Sequence, residues 1–195
     1  VLRRQPRILT SGVQRSTELR PAYARVEEDV VLHGSEGSVV VDKYRGAIYG
    51  IAIDLGTTTV VMNLVNLESG ETEYTASFEN PQRFGGSDIM NRIVYDGTAD
   101  SGELRAVMVS SINFEIGEMV RTLKIRRRQI FDIVAVGNTT MRELFFGIDV
   151  QSIGQRPYKS SVEDEFRASK RPTTALSTTA AEIGLRVHPK ATVYG

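Results

Sequence analysis

The chain has 195 residues, 41% of them hydrophobic, with 24 basic and 24 acidic side chains. That is enough apolar material for one large domain or a domain and a half, which excludes a disordered polymer, and the balanced charge argues against a general nucleic-acid or membrane-surface binder. The sequence holds no Cys, so it has no disulfide, thiolate metal site or iron–sulfur ligand of its own.

Residues 1–47 read as a small β-rich piece or linker, the tail of a preceding domain. Short apolar runs at 7–10 and 39–41 sit among Pro6, Pro21, Gly34 and Gly37, and 26–32 adds a short strand or turn. From Ile48 the pattern sharpens. Residues 48–54 and 60–67 read as strands, 68–71 as a hairpin turn, and 72–78 alternates as a third strand. Residues 80–86 form a loop. Ser87 is the expected cap of a helix carrying Ile89 and Ile93, with Asp88 near its positive end.

The clearest helix spans 103–124, with Leu104, Val107, Met108, Ile112, Met119, Val120 and Leu123 at helical spacing and Glu115 as a polar exception. The basic cluster 124–128 reads as a solvated helix end ahead of a buried strand at 130–136. Gly137-Asn138 ends that strand, Asn138 caps a helix over 139–146, and Gly147 stops it. Residues 151–170 look polar and turn-rich, 171–179 a Thr- and Ser-rich loop, and 180–185 a short helix before Pro189. Residues 191–195 look like the start of another strand, so with no initiator Met the chain reads as a piece of a longer protein.

His33 and His188 lie far apart without ligand spacing and read as surface or packing residues. No apolar run approaches bilayer length and no signal pattern opens the chain, which leaves the cytoplasm as the default location.

The chemistry concentrates in Asp54-Leu-Gly-Thr-Thr-Thr59, a tight turn between two apolar strands. Such a turn is either an ordinary hairpin or a cradle whose N–H groups and hydroxyls face a phosphate, with the carboxylate holding Mg²⁺ directly or through water. No Lys follows the glycine and no helix opens there, so it is not a Walker A loop. The turn resembles the first phosphate loop of the actin-like ATPase superfamily, which includes sugar kinases, heat-shock chaperone ATPases and actin. Gly137-Asn-Thr-Thr140 is a second place where N–H groups meet a helix start, as an anion site or as a plain cap.

Several segments together resemble the reductive activators of corrinoid proteins, within that superfamily. They are Gly50 to Val60, Asn80-Pro-Gln82, Gly86-Ser-Asp-Ile89 with Arg92-Ile93, Val136-Gly-Asn-Thr-Thr-Met141, Phe146-Gly-Ile-Asp149 and, more loosely, Ala181 to Leu185. The resemblance covers 48 to about 193 in the family's order and sets 1–47, loosely, against the tail of its middle or linker domain. It implies an α/β fold: the ribonuclease H-like first lobe of an actin-like ATPase over 48–195, with a mixed sheet and flanking helices.

The resemblance also implies a parent with an N-terminal [2Fe–2S] domain and a second ATPase lobe, using ATP to return a corrinoid protein or corrinoid-dependent methyltransferase from Co(II) to Co(I). Within this chain it points to Asp54, Gly56 and one or two of Thr57, Thr58 and Thr59 as residues facing nucleotide, with Asp54 orienting Mg²⁺ through water; Asn138 and Thr139 face the same cleft, and Asn80, Gln82 and Asp88 line the cleft or a partner surface. On its own the chain would be neither redox carrier nor complete ATPase, and a face meant for a missing lobe would favour a homodimer. The alternatives are a metabolite kinase of the same fold and a non-enzymatic interaction module.

Overall fold

The computed structural model describes residues 23–34, 37–98 and 102–195. The apolar run expected at 7–10 lies outside them. Strands β1 (Tyr23–Val26), β2 (Asp29–Gly34) and β3 (Gly37–Lys43) form a small antiparallel sheet. The larger sheet has six strands: β4 (Tyr49–Leu55), β5 (Thr59–Asn66), β6 (Thr72–Glu79), β7 (Ile130–Gly137), β8 (Ser177–Thr179) and β9 (Thr192–Tyr194). Their order is β6-β5-β4-β7-β9-β8. The first three are antiparallel neighbours, β7 and β9 run parallel to β4, and β8 closes the edge antiparallel to β9. A hairpin meander joined to parallel strands beside its first strand is the ribonuclease H-like arrangement expected from the sequence. Helices α1 (Ile89–Asp96), α2 (Glu103–Thr122), α3 (Thr139–Phe146), α4 (Ser161–Arg167) and α5 (Ala180–Ile183) complete the fold.

Alternation along the strands builds the core. Ile51, Ile53 and Leu55 of β4, Met62 and Leu64 of β5, and Ile133 and Ala135 of β7 are buried against α2 and α3. Helix α2 contributes Leu104, Met108, Ile112, Ile116 and Met119. The stripe passes through Ile116, beside the polar Glu115 of the expected pattern. Burying each large side chain stabilises by about 1.5–3 kcal/mol.

Three local expectations change. Asp88, not Ser87, caps α1: its Oδ1 accepts the Asn91 N–H at 2.9 Å, so the helix starts one residue later. The acidic stretch expected as turn contains α4, capped by Ser160, with Glu163 and Asp164 in a first turn where the helix dipole favours them. The end of the expected Thr-rich loop is the edge strand β8.

The small sheet rests on the lobe through a bulge. Tyr49 pairs with Ile130 and Gly50 with Asp132, so β7 skips Phe131 and turns its ring into a cluster with Tyr23, Val30 and Ile48. Tyr23 shares a 3.2 Å hydrogen bond with the Thr192 hydroxyl, and Gln129 Nε2 donates to Arg45 O at 3.0 Å. His188 is buried and stacks on Phe131 with ring centroids 4.5 Å apart. It is a packing residue, as expected.

Candidate functional site

The parallel register sets Asp54 beside Val136 and Leu55 beside Gly137, so β4 and β7 end level with one another. Crevices outside the carboxyl ends of parallel strands are the usual ligand sites of such sheets. The β4–β5 turn and the start of α3 meet at this edge. Asp54, Thr58, Thr59, Asn138 and Thr139 are exposed there, and Thr57 is half-buried.

Two glycines make the approach possible. A Cβ on Gly56 would sit 2.2 Å from Thr59 O, and one on Gly137 would sit 2.9 Å from Leu55 O. Both contacts are with backbone, so only glycine fits without moving the chain.

The turn is held from beneath by three donors. Asn80 Nδ2 donates to Gly56 O at 2.8 Å, Arg92 Nη2 to Thr57 O at 2.7 Å, and the Asn80 backbone N–H to Thr58 O at 2.7 Å. In a trans peptide the C=O and the N–H point in opposite directions. With the Gly56 and Thr57 carbonyls drawn inward by side chains, the N–H groups of Thr57 and Thr58 therefore face the other way, toward the open edge, while the Thr58 carbonyl extends the β5–β6 ladder.

Asn138 acts twice. Its Oδ1 accepts the Met141 N–H at 3.1 Å and caps α3, while its Nδ2 donates to Thr57 Oγ1 at 3.1 Å. Because that hydroxyl accepts from the amide, its own hydrogen remains available to donate. The positive end of α3 adds to the same edge.

The remaining expected residues lie elsewhere. Asn80 and Gln82 are buried under the turn rather than open to the crevice. Asn80 Oδ1 accepts the Gln82 N–H at 2.8 Å, and Gln82 Nε2 donates to Leu104 O at 3.0 Å, fastening the loop to α2. Asp88 is exposed at the start of α1, its two oxygens taken by the Asn91 backbone and side chain.

Two residues outside the expected site belong to its support. Arg92 is buried, and Met141 Sδ lies 3.2 Å from Arg92 Nη1 and 3.7 Å from Asn80 Nδ2. A signal for Arg92 was present: it is a cation on the inward side of a short helix, beside Ile89 and Ile93. The segments Asn80-Pro-Gln82, Gly86 to Ile93 and Gly137 to Met141, separate in sequence, thus converge under one turn.

This donor set suits Mg²⁺ with a polyphosphate. Magnesium is commonly held by one or two carboxylates plus substrate phosphates, and Asp54 is an exposed carboxylate at the mouth of the cradle. Among the described residues no group of three or more His, Cys, Asp or Glu side chains forms a metal cage. An iron–sulfur cluster has no ligands here, since the chain has no Cys. No described helix is long and apolar enough to cross a membrane.

A family model described as the RACo middle region matches residues 49–195. The corrinoid activation enzyme RamQ of Eubacterium limosum is 29% identical over 148 residues, covering 75% of this chain and 23% of that protein. The solved structure of a reductive activator for corrinoid, iron-sulfur protein has a TM-score of 0.71 and 31% identity, covering 85% of this chain and 26% of that one. The chain spans about a quarter of the length of each of these relatives.

Proposed function

This chain belongs to the RACo middle-region family, and on that footing we propose that it supplies the first phosphate-binding lobe of an ATP-dependent reductive activator of corrinoid proteins. Residues 48–195 are that lobe, and 1–47 are the tail of the domain before it. The activator returns a corrinoid protein or corrinoid-dependent methyltransferase from Co(II) to Co(I). Both named relatives are described as corrinoid activators, which supports the class of partner. The cluster that carries the electron belongs to another part of the parent, because this chain has no Cys.

The observation that carries the reading is the inward pull on the carbonyls of Gly56 and Thr57, which leaves N–H donors, the Thr57 hydroxyl and the Asp54 carboxylate at one open edge. The N–H groups and the hydroxyl bind phosphate oxygens. Asp54 orients Mg²⁺ through its waters, and the Asn138 amide fixes the Thr57 hydroxyl. In phosphoryl transfer such contacts act by positioning and by neutralising charge, and a bound Mg²⁺ would add to that neutralisation.

Titration of the chain with Mg-ATP and with Mg-tripolyphosphate tests the site. Saturable binding that Asp54→Ala weakens at least about tenfold supports it. No binding of either by the wild-type chain at millimolar ligand overturns the phosphate reading. The redox role is tested in the parent, where the paramagnetic Co(II) signal of a corrinoid partner is expected to disappear only with ATP and an electron donor present.

A further inference from the structure

We propose that Arg92 is a positioning residue that makes the turn selective for polyphosphate, setting the Thr57 peptide and supplying a buried positive charge directly beneath it. The proposal rests on the phosphate reading of the site.

Arg92 is 1% exposed, one of the largest fully buried side chains of the molecule. Its Nη2 donates to Thr57 O at 2.7 Å, its Nε to Gly86 O at 3.0 Å, and its Nη1 to Met141 Sδ at 3.2 Å. Two carbonyls and a thioether hold the guanidinium, and none of them is charged. The carboxylate that acts on it at longer range is Asp88, whose oxygens are both engaged by Asn91.

Buried charges are ordinarily paired, because removing them from water is costly. None of these three neutral acceptors requires a charged donor, yet the guanidinium keeps its charge under all ordinary conditions. A permanent cation behind outward-facing N–H groups adds a field of the same sign, in a place where water screens it poorly. An arriving polyanion then provides the missing counter-charge. A neutral nucleoside gains nothing from it. The same side chain ties the turn to Gly86 and so to the start of α1, which makes α1 sensitive to occupancy of the turn.

Three variants of the chain separate charge from scaffolding: Arg92→Met, Arg92→Gln and Arg92→Lys. Each is assayed by circular dichroism, by thermal melting and by calorimetric titration with Mg-tripolyphosphate at pH 6.5. We expect Arg92→Met and Arg92→Gln to bind about tenfold more weakly or worse. We expect Arg92→Lys to stay within about threefold of wild type while melting at a lower temperature, because charge is kept and hydrogen bonds are lost. Recovery of affinity without recovery of melting temperature is a result that a purely structural role does not give. If a folded Arg92→Gln or Arg92→Met binds as tightly as wild type, or if affinity follows melting temperature across all three, the proposal fails. Should Arg92→Met not fold, the Gln and Lys pair decides. Absence of binding by wild type itself is a different failure, that of the phosphate reading.

Discussion

Asn80→Ala is the substitution that tests most directly whether the turn is held from beneath. Asn80 is 1% exposed, and its side chain makes 2.8 Å hydrogen bonds to Gly56 O and from the Gln82 N–H. Alanine leaves both main-chain groups without that partner. An orphaned buried polar group costs about 1–3 kcal/mol, so the pair gives roughly 2–6 kcal/mol. For a chain of this size each kcal/mol lowers the melting temperature by about 2–4 °C, which predicts a drop of at least about 4 °C. Urea unfolding followed by circular dichroism gives the free energy, with Thr58→Ala, on the exposed side of the same turn, as control. A loss under about 1 kcal/mol for Asn80→Ala, or an equal loss for Thr58→Ala, would refute the view that this amide holds the turn. The affinity for Mg-tripolyphosphate should fall with it, since the freed Gly56 carbonyl no longer fixes which way the Thr57 N–H faces.

Three further outcomes follow from the geometry. Gly56→Ala places a Cβ 2.2 Å from Thr59 O, so the turn must open; Mg-ATP affinity measured by titration should drop at least about tenfold while far-ultraviolet circular dichroism stays native. Burial lowers the His188 pKa, with Asp42 opposing, and Nδ1 accepts the Lys190 N–H at 3.1 Å, so the neutral ring carries its proton on Nε2, 3.3 Å from Asp42 Oδ2. The unfolded chain therefore takes up this proton first as pH falls; the contribution is present above the ordinary His range near ~6.5 and is lost on acidification through it, and His188→Gln should flatten the melting profile there. Burial raises the pKa of Glu143, against Ser160 and Arg142, and its Oε2 lacks a hydrogen-bond partner. Its share of stability is complete below the ordinary Glu range near ~4.3 and is lost as pH rises through the raised native value, so Glu143→Gln should equal or exceed wild type in urea unfolding at pH 8 and lose that advantage at pH 4.

The strands and the turn were legible because each carries its own signal. Asp54 to Thr59 interrupts two apolar runs with a glycine and hydroxyls, and Asn138 precedes a helix that Gly147 ends in a left-handed conformation. What was hidden depends on partners far away in sequence. An Asn before Pro looks the same whether its amide faces a ligand or, as here, the back of a neighbouring turn. The run from Ile130 to Val136 reads as continuous, and only pairing with β4 shows that Phe131 is skipped and turned toward the small sheet. The run Glu163-Asp-Glu165 looked like a solvated turn because acidic residues suit loops and first helical turns alike. Strand β8 has three residues, too few for a period to show.

The site divides its work between two kinds of residue. Asp54, Gly56 and the threonines lie at the open edge and make up the Asp-x-Gly-Thr motif by which the turn resembles a phosphate loop. Asn80, Arg92, Asn138 and Met141 come from the segments that resemble corrinoid activators more specifically, and all four act on the turn or on each other. Three carbonyls bonded to one buried amide side chain, its own backbone N–H and one buried guanidinium leave the turn little freedom to relax separately from the Asn80–Gly86 loop and α1. A phosphate bound as proposed would pull on the same peptides whose carbonyls Asn80 and Arg92 grip. On the proposed phosphate reading, binding energy at the edge would reach α1 through Arg92, and a conformational response to nucleotide would start there rather than in α2, whose buried face of Leu104, Met108, Ile112, Ile116 and Met119 is locked into the core.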